Sequence, residues 1–463
     1  MTAARILSKT ARYANTGYGP QFTVLDVGLA DRVAVIEPDL AFWALVPHES
    51  IESALAGGLI PEFIKQEKSF RDEMERLRFG LKPSAVYLNP TERCNFNCGY
   101  CYLPEDMRRG GRTMTADELS QTLAELLEKF RPILPESAKP QVIFHGSEPL
   151  MAKEAVFQGI ERFRNDFHFG IQTNAALLDD QAISFLTRNQ VGIGISLDGP
   201  TPEIADATRR NWAGTGFFDR VMSVIPKLAS YPAFNVITTV SRLNVQALTD
   251  MVDLLHGSGV RVAMLNPVRC TQKGGRELKP DNAVLAQQLL KALDRSYELF
   301  EKTGRKLVIA NFANVLAGVA GPTGRRLMCD ISPCGGGRCF FAVSAAGEAF
   351  PCSEFIGFPE FCGGNIRQNS IREIIDSAPF RMVTGRKIEA IAPCSRFAIR
   401  HFCGAPCPAE VHVVSGTLDA PSPYCQFYEE QVRYAFRVIA QGRENAYLWD
   451  GWEDETEESF AMN

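Results

Sequence analysis

No apolar run in this chain reaches the roughly 18 residues that a membrane-spanning helix needs. The first twenty residues, Met1 to Pro20, hold charged and polar side chains but no apolar segment of signal-peptide length. Basic residues are not in excess: 49 Lys and Arg stand against 54 Asp and Glu, for a net charge of −5. Without a global basic field, nothing points to nucleic acid. Cysteine is missing from residues 1–82. These absences predict a soluble, cytoplasmic protein that engages neither membrane nor nucleic acid. Apolar side chains are plentiful, at 45% of 463 positions. That suffices for a large core, and the length suggests about two to four domains.

Thirteen cysteines need a chemical reason. Disulfides are disfavoured in the cytosol, and metal or redox use is the usual alternative. Three lie at Cys94, Cys98 and Cys101, Cys270 stands alone, and nine fall between Cys329 and Cys425. Cys270 reads as a small buried hydrophobe. The stretch Cys94-Asn95-Phe96-Asn97-Cys98-Gly99-Tyr100-Cys101 can point three thiolates at one centre. No Cys or His follows within the next forty residues, so the fourth ligand that closes a structural zinc site is not at hand. Three thiolates suit a four-iron cluster with one iron left open to a substrate or cofactor. Structural zinc is the competing reading.

Residues 1–82 predict a small α+β module. Phe22–Val27, Arg32–Ile36 and Ala41–Val46 read as strands, followed by helices near 49–57 and 61–79. The module either offers a sheet edge to a peptide or caps the main domain. From residue 83 to 312 strands and helices alternate. Strands are expected at Ala85–Asn89, Gln141–His145, Phe167–Gln172, Gly192–Leu197, Phe234–Val240 and Arg261–Leu265. Thr115-Ala116-Asp117-Glu118 is a capping box that starts a helix. Six such units imply a parallel sheet with helices outside, a partial (β/α)6 barrel. Ligands of such folds sit at the carboxyl ends of the strands. The three-cysteine loop follows the first strand. His145-Gly146-Ser147-Glu148-Pro149, Gln172-Thr173-Asn174, Ser196-Leu197-Asp198-Gly199-Pro200 and Asn266-Pro267-Val268 follow four others. Four polar loops in phase favour one shared site. A helix over 282–302 and a strand at Lys306–Ile309 end this region. Residues 313–328, rich in Gly and Ala, read as a connector. A cysteine-dense domain extends to 445, with a helix over 426–442, and an acidic tail occupies 446–463.

Cys94-x3-Cys98-x2-Cys101, with Tyr100 before its last cysteine, resembles the radical S-adenosylmethionine signature. Gly146-Ser147-Glu148-Pro149 resembles that superfamily's Gly-Gly-Glu-Pro element, with Ser147 for the second glycine. Ser196-Leu197-Asp198-Gly199 also matches. The resemblance covers about 83–310. It implies a [4Fe–4S] cluster on Cys94, Cys98 and Cys101 whose open iron chelates S-adenosylmethionine. Gly146, Ser147 and Glu148 would meet the methionine amine, Asn174 and Ser196 the ribose or carboxylate, and Tyr100 the adenine.

The C-terminal cysteines resemble the SPASM extension of peptide- and protein-modifying enzymes. By that resemblance Cys334, Cys339, Cys352 and Cys407 hold one auxiliary [4Fe–4S] cluster. Cys394, Cys403 and Cys425 hold a second. Phe397 stands where the pattern has another cysteine, so Cys362 is the expected substitute, with Cys329 or a non-cysteine ligand as alternatives. Ser353 stands where sulfatase-maturing relatives have an aspartate base. A structural zinc ribbon is the competing reading of the module, disfavoured by the interleaved cysteines.

The combination implies reductive cleavage of S-adenosylmethionine to a 5′-deoxyadenosyl radical, fed by a donor such as flavodoxin or ferredoxin. The expected function is a maturase that installs a thioether or related cross-link in a ribosomally made precursor peptide, with residues 1–82 holding the leader. The alternatives are a maturase of a sulfatase or dehydrogenase subunit, or an iron–sulfur protein without catalysis.

Overall fold

The computed structural model describes residues 10–13 and 21–452. Two compact units contain them. Of the described residues, one combines 10–13, 21–81, 312–334 and 385–452, and the other 82–311 and 335–384.

The second unit is built on a ten-stranded sheet. Its strands are β5 (Ala85–Leu88), β6 (Gln141–Phe144), β7 (His168–Thr173), β8 (Gly192–Ser196), β9 (Phe234–Val240), β10 (Val262–Pro267), β11 (Val308–Ile309), β12 (Phe340–Val343), β13 (Glu348–Phe350) and β14 (Gly364–Asn365). The order is β11-β10-β9-β8-β7-β6-β5-β12-β13-β14. Strands β5 to β11 run parallel in sequence order, β12 joins β5 in parallel, and β13 and β14 add antiparallel. The six expected strands are therefore β5–β10. The sheet stays open, because β11 and β14 lie at opposite ends of the order. This is the partial, unclosed (β/α)6 arrangement with an added edge.

Burial explains the strand sequences. Val86, Leu88, Val142, Phe144, Ile193 and Ile195 are wholly buried, as parallel strands covered on both faces require. The helix Ala116–Phe130 opens on the expected capping box: Glu118 N–H donates to Thr115 Oγ1 at 3.2 Å, and Thr115 N–H donates to Glu118 Oε2 at 2.9 Å. Its Leu119, Leu123, Leu126 and Phe130 are buried.

The first unit contains an antiparallel sheet β1 (Thr10–Tyr13), β2 (Phe22–Leu25), β3 (Arg32–Glu37), β4 (Phe42–Pro47). Phe22, Phe42 and Phe63 form an edge-to-face cluster on it. This sheet belongs to the same unit as Cys394, Cys403, Cys407 and Cys425. Arg437 Nη1 donates to Val27 O at 2.7 Å, Trp43 Nε1 donates to Val319 O at 2.8 Å, and Arg78 pairs with Glu389 at 2.7 Å.

Three local expectations are corrected. The two helices near 49–57 and 61–79 are one continuous helical run from His48 to Gly80, with wide turns at Leu55–Leu59 and Arg76–Gly80. The first wide turn absorbs Pro61, whose ring clashes with the carbonyl four residues back in a regular helix. Residues 313–328 are no plain connector, because Ala310–Ala320 is a helix with Phe312 to Val319 buried throughout. Alanine is the best helix former, and small side chains fit a helix enclosed on every side. The tail over 446–463 is packed at its start: Tyr447 and Leu448 are buried, and the Tyr447 and Tyr434 hydroxyls meet at 2.8 Å. Its acidic end, residues 453–463, lies outside the described residues, as does most of the Met1–Pro20 segment.

Candidate active site

The three-cysteine loop leaves β5 at the carboxyl end of the sheet. Backbone bonds fix its path: Cys94 N–H donates to Arg108 O (2.9 Å), Asn97 N–H to Arg210 O (2.7 Å) and Cys101 N–H to Cys98 O (3.1 Å). Trp212 Nε1 donates to Cys94 O at 2.8 Å, and Arg109 lies 4.2 Å over the Trp212 ring. Phe96, between the first two cysteines, is buried against Phe217. Burial pushes the Cys94 thiol up to about 12 and the Cys98 thiol up to about 11. The Glu148 carboxylate adds to the first shift, while Arg209 opposes the second. Burial raises Cys101 too. Alone, these thiols hold their protons; ionisation must accompany metal binding.

Gly146 has φ +97°, and a Cβ built there would lie 2.2 Å from Asn89 Nδ2. Only glycine fits this approach. Ser147 Oγ donates to Glu92 O at 2.5 Å. Glu148 is buried, and its carboxylate ties two strand ends together. Leu150 N–H (3.1 Å) and Thr173 Oγ1 (2.7 Å) donate to Oε1, and Asn174 N–H (2.8 Å) donates to Oε2. Burial raises its carboxyl above the usual range, opposed by these bonds. Asn174 Nδ2 in turn donates to Asn95 Oδ1 in the cysteine loop at 2.7 Å.

Asn174 and Ser196 line one cavity together with Phe96, Asp198, Arg209 and Phe217. Tyr100 is buried beside it. Its hydroxyl donates to Asp198 Oδ2 and accepts from Arg209 Nη1 at 2.6 Å, and Arg209 lies 3.6 Å from Asp198. Burial drives the Asp198 carboxyl upward, and the Arg209 charge opposes it. Arg209 carried no signal in the sequence. It follows no strand end, and only the chain's return brings it to Tyr100.

A second polar group missed in the sequence surrounds Tyr102. Its hydroxyl lies 3.3 Å from His145 Nδ1. The Glu354 carboxylate lies within electrostatic range of Tyr102 and Cys101. Arg269 Nε stands 3.7 Å from Glu354 Oε1. The carboxylate absent at Ser353 is thus present one residue later.

The C-terminal cysteines divide between the units. Cys339 and Cys352 belong to the unit with the parallel sheet, and Cys334 and Cys407 to the other. Gly336 packs on Cys352, where a Cβ would lie 3.3 Å from the cysteine Cβ. Arg386 feels the charges of Cys334, Cys394 and Cys407. Cys394, Cys403 and Cys425 line one cavity with Phe397, Arg400 and Glu429. Burial pushes Cys425 up to about 12, with Cys394 and Glu429 adding, and lifts Cys403 well above its ordinary value. Cys362 is not among the lining residues; its Sγ lies 3.6 Å from Gly364 O. Cys329 is exposed and does not line the cavity either. Cys270 is buried.

Residues 88–255 match the Radical SAM superfamily, and residues 334–397 match the SPASM iron–sulfur cluster-binding domain. A protein of Archaeoglobus fulgidus, described as uncharacterized, is 42% identical over 408 residues, covering 88% of this chain and 92% of its own. This chain belongs to the radical SAM superfamily. The cysteine-type anaerobic sulfatase-maturating enzyme of Clostridium perfringens is 22% identical, over 77% of this radical SAM chain and 97% of that one. The solved structure of native anSMEcpe with bound AdoMet superposes with a TM-score of 0.68 at 20% identity, covering 78% of this chain and 100% of that one. SuiB of Streptococcus suis bound to precursor peptide SuiA gives 0.58 at 12% identity, with 80% and 82% covered.

This radical SAM enzyme uses [4Fe–4S] clusters and S-adenosylmethionine. The donor sets fit these groups. Two places each bring three thiols into mutual electrostatic range, and thiolates are the usual cluster holders. None of the described helices is long and apolar enough to cross a membrane.

Proposed function

We propose that this radical SAM enzyme is a maturase that forms a thioether, or a related side-chain cross-link, in a ribosomally made precursor peptide. The observation that carries the reading is the second thiol-lined cavity, Cys394, Cys403 and Cys425, in addition to Cys94, Cys98 and Cys101. Closing a thioether breaks one C–H and one S–H bond and forms one C–S bond. One hydrogen atom, one proton and one electron must leave the peptide. S-adenosylmethionine and the clusters, when bound, would supply the hydrogen-atom acceptor and the electron acceptor of this balance.

The chain's own residues supply the rest. Cys94, Cys98 and Cys101 hold the first cluster. Gly146, Ser147 and Glu148 shape the seat for the methionine amine, Asn174 and Ser196 face ribose or carboxylate, and Tyr100 borders the adenine. The SPASM pattern assigns one auxiliary cluster to Cys334, Cys339, Cys352 and Cys407, and Cys394, Cys403 and Cys425 would hold the other. Glu354, beside Tyr102 and the cysteine loop, takes the thiol proton. The antiparallel sheet β1–β4 receives the leader by strand addition at its edge. Flavodoxin or ferredoxin feeds electrons to the first cluster.

The likeness to the sulfatase-maturating enzyme favours a second reading, maturation of a protein side chain. Ser353, in place of the aspartate, weighs against formylglycine formation. Anaerobic reaction with dithionite, S-adenosylmethionine and a cysteine-containing peptide encoded beside the gene separates the readings. The peptide product loses two hydrogens and stays unreactive toward hydrazide. An aldehyde product overturns the thioether reading, and absence of 5′-deoxyadenosine overturns the enzyme's assignment to the Cys94 loop.

A further inference from the structure

Cys394 and Phe397 bracket one tight turn, Cys394–Arg396, and both face the cavity with Cys403 and Cys425. The Phe397 side chain therefore occupies the wall where the family pattern has a fourth thiolate. Glu429 lines the same cavity. It lies four residues after Cys425 on the helix Cys425–Ala440, so both side chains share a face one turn apart. The carboxylate is anchored by the next residue of that row. Arg433 Nε and Nη2 donate to Glu429 Oε1 at 3.0 and 2.5 Å. Both bonds use Oε1; Oε2 takes part in no hydrogen bond among the described residues. Glu429 is 8% exposed and Arg433 3%. A buried carboxylate that lines the cavity of three thiols and is held by an arginine at one oxygen only is a ready-made oxygen ligand.

We propose that Glu429 is the fourth protein ligand of the cluster held by Cys394, Cys403 and Cys425. It replaces the thiolate that Phe397 excludes, on the helix that already carries Cys425. Arg433, paired with Glu429, offsets part of the negative charge of three thiolates and a carboxylate. Cys362 then has no ligand role. The inference depends on the three cysteines holding a cluster, and is independent of which substrate the enzyme matures.

The test uses the full chain, reconstituted anaerobically, with Cys94, Cys98 and Cys101 changed to alanine so that only auxiliary clusters are seen. Iron content, Mössbauer spectra and EPR are read for this parent, for Glu429→Gln, which keeps side-chain size and an acceptor for Arg433, and for Glu429→Ala. The expected result is conversion of one auxiliary cluster to a three-iron form, or loss of about four irons per chain, in both variants. Phe397→Cys added to Glu429→Ala restores the four-iron signal, which repair of a merely structural ion pair cannot do. Parent-like iron content and spectra in both Glu429 variants overturn the proposal. So does a folded double variant that stays iron-poor. If Cys394→Ala, Cys403→Ala and Cys425→Ala together leave the auxiliary iron unchanged, the cluster assignment itself fails, and the role of Glu429 fails with it.

Discussion

Cys425 and Glu429 stand one helical turn apart and face the same thiol-lined cavity. The pairing matters because a helix carries both groups rigidly. Sites built on regular elements hold their geometry better than sites on loops. The Cys94–Cys101 loop is held differently, through backbone bonds and the Trp212–Arg109 clamp on Cys94.

Gly146→Ala is expected to disable the S-adenosylmethionine seat. A φ of +97° costs about 1–3 kcal/mol for a residue with a Cβ, and that Cβ would also strike Asn89. Equilibrium dialysis with S-adenosylmethionine should show at least tenfold weaker binding, with a lowered Tm. Unchanged binding would mean that the Gly146 turn does not face the cofactor.

Arg209→Met is expected to destabilise by about 3–5 kcal/mol, because it strands the buried Asp198 carboxylate. Adding Asp198→Asn should recover part of the loss in denaturant titrations. The single variant should also assemble its first cluster more slowly, since the Arg209 charge favours the Cys98 thiolate.

Glu354→Gln is expected to uncouple the reaction. Formation of 5′-deoxyadenosine should persist while cross-linked peptide falls by roughly 10²–10⁴-fold, the usual range for a positioned acid or base. Equal losses of both products would remove Glu354 from the proton-transfer role.

His145 gives a pH signature. Burial lowers its imidazole from the usual 6.5 to about 4, partly opposed by its bond with Gln172. The folded chain therefore favours the neutral ring. Its stabilising contribution is whole above pH 6.5 and is lost as pH falls toward 4. The ring is partly accessible by surface area, so the loss is set at about 1–2 kcal/mol. Between pH 7 and 5, wild type should lose stability faster than His145→Asn by this margin.

Much of the sheet was legible in the sequence. Parallel strands are short apolar runs between helices, and six of them were placed within two residues. The helical run His48–Gly80 was harder. Gly57, Gly58 and Pro61 signal a break locally, but a wide turn absorbs them. The Ala310–Ala320 helix reads as a connector because its small residues show no periodic face, and a helix buried all round has none to show.

The sequence by itself determined the chemistry of this protein. Three thiols in eight residues, a glycine turn after the second strand and interleaved cysteines near the end are local patterns, and ligand spacing is set by covalent reach. Only the tertiary structure decided which distant groups complete these sites. Tyr100 and Arg209 are 109 residues apart in the chain, and no periodicity links them. Cys394 and Glu429 share a cavity because a turn and a helix fold back together. Burial then makes each partner consequential: a carboxylate without a cation or a metal is costly once water is excluded.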